Sequence, residues 1–183
     1  MRQVISTRKL REFSIDIQSL GGGSYRLSTS QIVLATPSQV FPFFENPSNL
    51  SVITPPWLDF KLINSVDIIR PRNGARYDYT IRWFGIRIHW QSEIVDYEPP
   101  HCFIDVQLKG PYELWHHLHI FEEVAAGTLV KDAVTYRLPF GPLGRITHIL
   151  AVKQQLVDIF IYRAVSIDKW VSAAVLIDAP RHF

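Results

Sequence analysis

Between residues 61 and 138 the chain changes side at every second residue, run after run, with only short turns between the runs. In residues 75–84, Tyr77, Tyr79, Ile81 and Trp83 face one way and Arg76, Asp78 and Arg82 the other. Residues 86–97 set Ile86, Ile88, Trp90 and Ile94 against Arg87, His89, Gln91 and Glu93. Further runs cover residues 61–69, 101–109, 114–123 and 128–138. The breaks fall at Pro71-Arg72-Asn73-Gly74, Phe84-Gly85, Pro99-Pro100, Gly110-Pro111 and Ala126-Gly127. Strict alternation joined by tight turns predicts an antiparallel meander, because parallel strands need long crossovers.

An earlier strand is predicted over residues 25–34, followed by two short helices. Thr36, Pro37 and Gln39 make a capping box with proline in the first turn, and Pro42 cuts that helix short. Asn46-Pro47 starts the second, which Pro55-Pro56 ends. After residue 144 the period changes: Ile146, Ile149, Leu150, Leu156, Ile159 and Phe160 recur at three- and four-residue steps towards Trp170. Such a helix is roughly 40 Å long. One amphipathic helix cannot cover a flat sheet of this width, so the sheet has to curl around it, and curling leaves interior volume. The predicted class is α+β: a curved seven-stranded antiparallel sheet around a long C-terminal helix, plus two short helices. Gly21-Gly22-Gly23-Ser24 reads as a flexible joint. The expected organisation is an N-terminal extension over residues 1–24, a domain over 25–170 and a tail over 171–183.

Composition narrows the function. The formal charge is only +2, and bases and acids balance once Arg2, Arg8, Lys9, Arg11, Glu12 and Asp16 are set aside. No basic run marks a nucleic-acid partner. The single cysteine, Cys102, rules out an internal disulfide and any cysteine-based zinc knuckle. No membrane span and no secretory leader are read, so a cytoplasmic location is the expectation, with peripheral membrane contact left open. No hydrolase elbow, phosphate loop or paired-cysteine motif occurs.

Six separated segments then fall in one order: Asn46-Pro47-Ser48-Asn49-Leu50, Ile53-Thr54-Pro55-Pro56-Trp57-Leu58, Trp90-Gln91-Ser92-Glu93-Ile94, Gly110-Pro111-Tyr112, residues 115–121, and Leu138-Pro139-Phe140-Gly141-Pro142-Leu143-Gly144. As a set they resemble the START/Bet v1-like (SRPBCC) superfamily, and within it the bacterial polyketide cyclase/dehydrase-like ligand-binding members. The resemblance covers about residues 25–165. It implies the helix-grip fold and a cavity for a hydrophobic small molecule or lipid, and it names no ligand and no chemistry.

The richest cluster is Trp115-His116-His117-Leu118-His119. On a strand, Trp115, His117, His119 and Phe121 share one face. A hairpin tip at Ala126-Gly127 sets His119 near Asp132 and His117 near Tyr136. Three readings stay open for this group: a satisfied polar network, a polar anchor in an apolar pocket, or a metal site. For the last, His117 and His119 sit roughly 7 Å apart, a span a zinc ion bridges. The third ligand would have to be Asp132, and no other spacing supports one, so neither metal nor cofactor is expected.

Residues 103–107 are ambiguous, since hydrophobicity turns Ile104, Val106 and Leu108 inwards while the resemblance turns Phe103, Asp105 and Gln107 inwards. The expected ligand-binding set is Tyr79, Trp83, Trp90, Trp115, His117, His119, Asp132, Tyr136, Phe140, Leu156 and Phe160. Ile149 and Val152 are expected on the same helical wall, with a mouth near Phe43, Trp57 and Phe140. The leading function is binding or carrying a lipid, polyketide, quinone or isoprenoid. The alternative is a cyclase or dehydratase using His117, His119, Asp132 and Tyr136 as acid/base groups, and no catalytic residue is assigned. A third class is an interaction module that docks through the extension and tail.

Overall fold

The computed structural model describes residues 12–63 and 71–178. An eight-stranded antiparallel sheet runs in the order β1-β2-β8-β7-β6-β5-β4-β3. Its strands are β1 (Ser14–Gly21), β2 (Ser24–Val33), β3 (Lys61–Leu62), β4 (Arg76–Trp83), β5 (Ile86–Glu98), β6 (Cys102–Lys109), β7 (Leu114–Val124) and β8 (Gly127–Arg137). Helices α1 (Pro37–Glu45) and α2 (Leu50–Ile53) follow β2, with single 3-10 turns at Pro47–Asn49 and Pro56–Leu58. The chain closes with α3 (Pro142–Thr147), a π-helical turn (His148–Val152) and the long α4 (Lys153–Asp178). The predicted capping box forms at the start of α1, where Gln39 Oε1 accepts from the Thr36 backbone N–H. Of the run expected at residues 61–69, Ile63 still bonds the Asp78 carbonyl through its N–H, and residues 64–69 lie outside the described residues.

Two ends differ from expectation. The first strand lies inside the segment read as an extension: Ser14 to Ser19 pair with Ser30 to Tyr25. Three glycines suit a joint, but they also supply left-handed backbone for a tight hairpin, and Gly21, Gly22 and Gly23 have φ of 83°, 59° and 82°. Phe13 and Ile15 are buried in the core, so this strand belongs to the domain and the sheet has eight strands, not seven. At the other end α4 runs through the segment read as a tail, and Val171 is buried.

The helical stripe also breaks where continuity is expected. Val152, Leu156, Phe160, Ala164, Ile167 and Val171 are buried at near-four-residue steps. Ile146 and Ile149, which an unbroken α-helix would put near that face, are more than half exposed, as are Leu150, Phe140 and Leu143. The π turn, which holds Ile149 and Leu150, takes one extra residue and rotates the segment before it by about 100° against α4.

Apolar packing falls into two clusters. One gathers Trp90, Tyr112, Val134, Tyr136, Leu156 and Phe160; the other gathers Phe41, Phe43, Phe44, Phe103, Phe121, Val130 and Ile167. Along β7 the face passes from Trp115 through His117 and His119 to Phe121, so a polar belt lies between the two clusters.

Candidate functional site

Antiparallel pairing determines who meets across the strands. His119 stands opposite Asp132 as expected, but Trp115, not His117, stands opposite Tyr136, and His117 faces Val134. On its other side β7 pairs with β6, which sets His117 opposite Asp105 and His119 opposite Phe103. Phe103 and Asp105 therefore point inwards, the orientation the family resemblance implies. Asp105 was not among the expected site residues. Its signal is the two-residue alternation of β6, which puts a carboxylate beside two histidines once the register is known.

Each histidine is held between two carboxylates. His117 places Nδ1 at 3.3 Å from Asp105 Oδ2 and Nε2 at 3.0 Å from Asp132 Oδ1. His119 places Nε2 at 2.9 Å from Asp105 Oδ2 and Nδ1 at 2.9 Å from Asp132 Oδ1. Arg163 on α4 reaches across the interior to Asp132 Oδ1 at 3.3 Å, and the Thr29 hydroxyl donates to Asp132 Oδ2 at 3.2 Å. His117, His119, Asp132 and Arg163 are all buried. Burial pushes the Asp105 carboxyl up, yet the His117 charge and the bonds from both histidines outweigh it and hold it low. Asp132 is held well below the usual carboxylate range for the same kind of reason: burial is overcome first by Arg163, then by the histidines. Burial alone would lower His117, but Asp105 and Asp132 raise it.

This group forms one wall of a cavity of about 180 Å³ between α4, the sheet and the short helices. Of the expected set, Tyr79, Trp83, Trp90, Trp115, His117, His119, Leu156 and Phe160 line it. Asp132 stands behind the histidines, off the cavity lining, beside Thr29 and Phe160. Tyr136 is also off the lining: its hydroxyl bonds His148 Nε2 at 2.8 Å, and its ring packs in the core. Phe140, in the loop ahead of α3, and Ile149, in the π turn, lie on the surface, and Val152 packs in the core. Phe43 stacks on Trp170, and Trp57 is half exposed against Tyr162. The short-helix wall comes instead from Phe44, Leu50, Ile53 and Leu58. Among the described residues, Tyr77, Trp90 and Arg163 line the cavity and each has a buried polar atom without a partner: the Tyr77 hydroxyl, Trp90 Nε1 and Arg163 Nε.

Similar architecture recurs in solved structures. Protein Ms6760 from Mycobacterium smegmatis superposes with a TM-score of 0.62 at 16% identity, over 87% of this chain and 99% of its own. A protein from Rhodobacter sphaeroides gives 0.60 at 19% identity, over 87% and 99%. Ara h 8.0201, of the Bet v 1 family, gives 0.59 at 14% identity, over 82% and 99%. The fold is the Bet v1-like helix grip. At these identities the likeness concerns the fold alone. No protein-family model and no curated protein matches the sequence. Among the described residues of this helix-grip chain, no helix is long and apolar enough to cross a membrane.

Proposed function

We propose that the protein binds a hydrophobic small molecule carrying at least one acceptor oxygen, with lipid, polyketide, quinone and isoprenoid as the candidate classes. The observation behind this reading is the cavity, apolar over most of its wall with the polar residues Ser92, His117, His119 and Arg163 among its lining. A concave, mostly apolar site with a few convergent polar groups suits an apolar guest, and the Arg163 guanidinium favours an oxygen on it. Size sets the scale. The void of about 180 Å³ exceeds the roughly 150 Å³ at which an apolar engineered cavity takes up benzene. It holds one ring or a short acyl segment, and a larger guest has to displace the Pro-broken helices α1 and α2. Native mass spectrometry of protein from its own host tests the reading, followed by titration of tryptophan fluorescence with a medium-chain fatty acid and a monocyclic polyphenol. Binding that is tenfold weaker in Ile159→Trp, a cavity-filling change on α4, supports it; no binding of either probe overturns it.

A second reading is a cyclase or dehydratase, favoured by the two histidines on the cavity wall. His117 or His119, in its neutral form and with the nitrogen on the Asp105 side turned to the guest, takes a proton beside a carbonyl, and Asp132 fixes the ring orientation of His117. Tyr136 is bonded to His148 off the wall, so a phenol for the guest's oxygen has to come from the lining, where Tyr77 and Tyr79 stand. Solvent-deuterium incorporation into a β-diketone guest separates this enzyme from a carrier.

A further inference from the structure

We propose that Asp105, His117 and His119 form a binding site for a divalent transition-metal ion of the zinc and ferrous class, with its open positions on the cavity. Spacing on β7 alone offers two ligands, and the third comes from β6 rather than from Asp132 on β8. The expectation of no metal is revised on that ground.

The case rests on how the ring nitrogens divide. Both histidines turn one nitrogen, His117 Nε2 and His119 Nδ1, to the same oxygen of Asp132, at 3.0 and 2.9 Å. Both turn the other, His117 Nδ1 and His119 Nε2, to one oxygen of Asp105, at 3.3 and 2.9 Å. Without an ion, His117 Nε2 bonds Asp132 and His119 Nε2 bonds Asp105, while His119 Nδ1 also stands 3.3 Å from an Arg163 guanidinium nitrogen. A divalent cation between Asp105 and the two rings would take the place of the proton on the His119–Asp105 bond, and His117 would turn its Nδ1 lone pair to the same ion. The ligand atoms available from these residues lie within 4.8 Å of one another. Ligands at about 2.0–2.1 Å from a tetrahedral ion stand about 3.3 Å apart, close to the spacings observed.

The surroundings match what metal ligands need. Metal-bound histidines donate their remote N–H to a carboxylate that fixes ring orientation. Asp132 supplies this for His117, stands 2.9 Å from the remote nitrogen of His119, and is itself pinned by Arg163 and Thr29. Asp105, His117 and His119 all line the cavity, so a guest reaches the remaining coordination positions. Two histidines and one carboxylate with open positions are the donor set of zinc hydrolases and of non-haem ferrous sites. Asp105, Asp132 and Arg163 together carry one negative charge, so a divalent ion leaves the wall positive and favours an anionic or carbonyl oxygen on the guest. The proposal does not depend on the apolar cargo: each has its own titration.

The test uses the full-length chain, stripped with chelator and dialysed. Calorimetric titration with Zn²⁺ is expected to give one equivalent at sub-micromolar Kd, and Zn²⁺ should raise the melting temperature. Co²⁺ should give visible d–d absorption of a four- or five-coordinate centre. Asp105→Asn and His119→Gln are each expected to weaken zinc binding at least 100-fold. Asp132→Asn should weaken it about 10–100-fold while keeping the Co²⁺ band shape, because it orients the ligands without being one. His89→Gln, in the exposed pair with Asp78, should change nothing. Near-UV circular dichroism confirms that each variant is folded. If one ligand variant does not fold, the other and the wild-type melting shift decide. A wild-type Kd above about 1 mM with no melting shift overturns the site, as does binding within threefold of wild type in a folded ligand variant.

Discussion

Asp132→Asn is the sharpest probe of the buried belt. The substitution keeps the shape of the side chain and removes one charge that Thr29, His117, His119 and Arg163 all share. Asp132 is 5% exposed and Arg163 8%, so water replaces none of the lost interaction. Breaking a buried pair by removing one partner costs about 3–5 kcal/mol, because the other charge stays buried without compensation. That is a large part of the roughly 5–15 kcal/mol holding a domain together. At about 2–4 °C per kcal/mol for a chain of this size, the melting temperature should fall by about 6–20 °C. Urea unfolding in chelator, where only the chain's own charges act, should show a lower midpoint with an unchanged slope. Adding Arg163→Met should recover at least half of the loss by removing the orphaned charge. A loss below about 1 kcal/mol, or no recovery in the double variant, refutes the reasoning.

Three other outcomes are expected. His148 is held neutral by burial and by Lys153, with its pKa lowered to about 4. The unfolded chain therefore takes up the proton first: this contribution is complete above about pH 6.5 and fades as pH falls towards 4. Melting curves for His148→Gln should consequently be flatter than wild type across that window. Tyr136→Phe removes the donor to His148 and should cost about 1–3 kcal/mol of stability while leaving fatty-acid binding unchanged, since Tyr136 is off the cavity lining. Gly127 has φ of 129° and its missing Cβ would collide with the Val33 carbonyl, so Gly127→Ala should lower the urea midpoint far more than an exposed alanine substitution such as Lys131→Ala.

Much of the sheet was legible because β-period and turn residues act locally. Tyr77 and Ile81 are buried on β4, and Val130, Asp132, Val134 and Tyr136 on β8, where alternation puts them. What was not legible depended on partners far along the chain. Asp105 could be read as facing either way until β6 was seen beside β7. The pairing of Arg163 with Asp132 was not legible either, because a helical period says which face a residue shares and not what stands across from it. The surface position of Ile146 and Ile149 follows from a π turn that leaves the three- and four-residue spacing in the sequence intact. Beside these, Gly21-Gly22-Gly23 shows one composition serving two geometries, joint and hairpin.

The cavity has two unlike walls. Asp105, His117 and His119 stand on neighbouring strands of one ladder, while Leu50, Ile53 and Leu58 stand on one-turn helices cut by prolines. Substitutions at Leu50, Ile53 and Leu58 change volume and shape on a wall that supplies none of the hydrogen bonds of the first. Descendants of this chain can therefore exchange guests by drifting through residues 50–58 while the charged wall keeps its partners, and a library built on that segment is the place to look for altered preference.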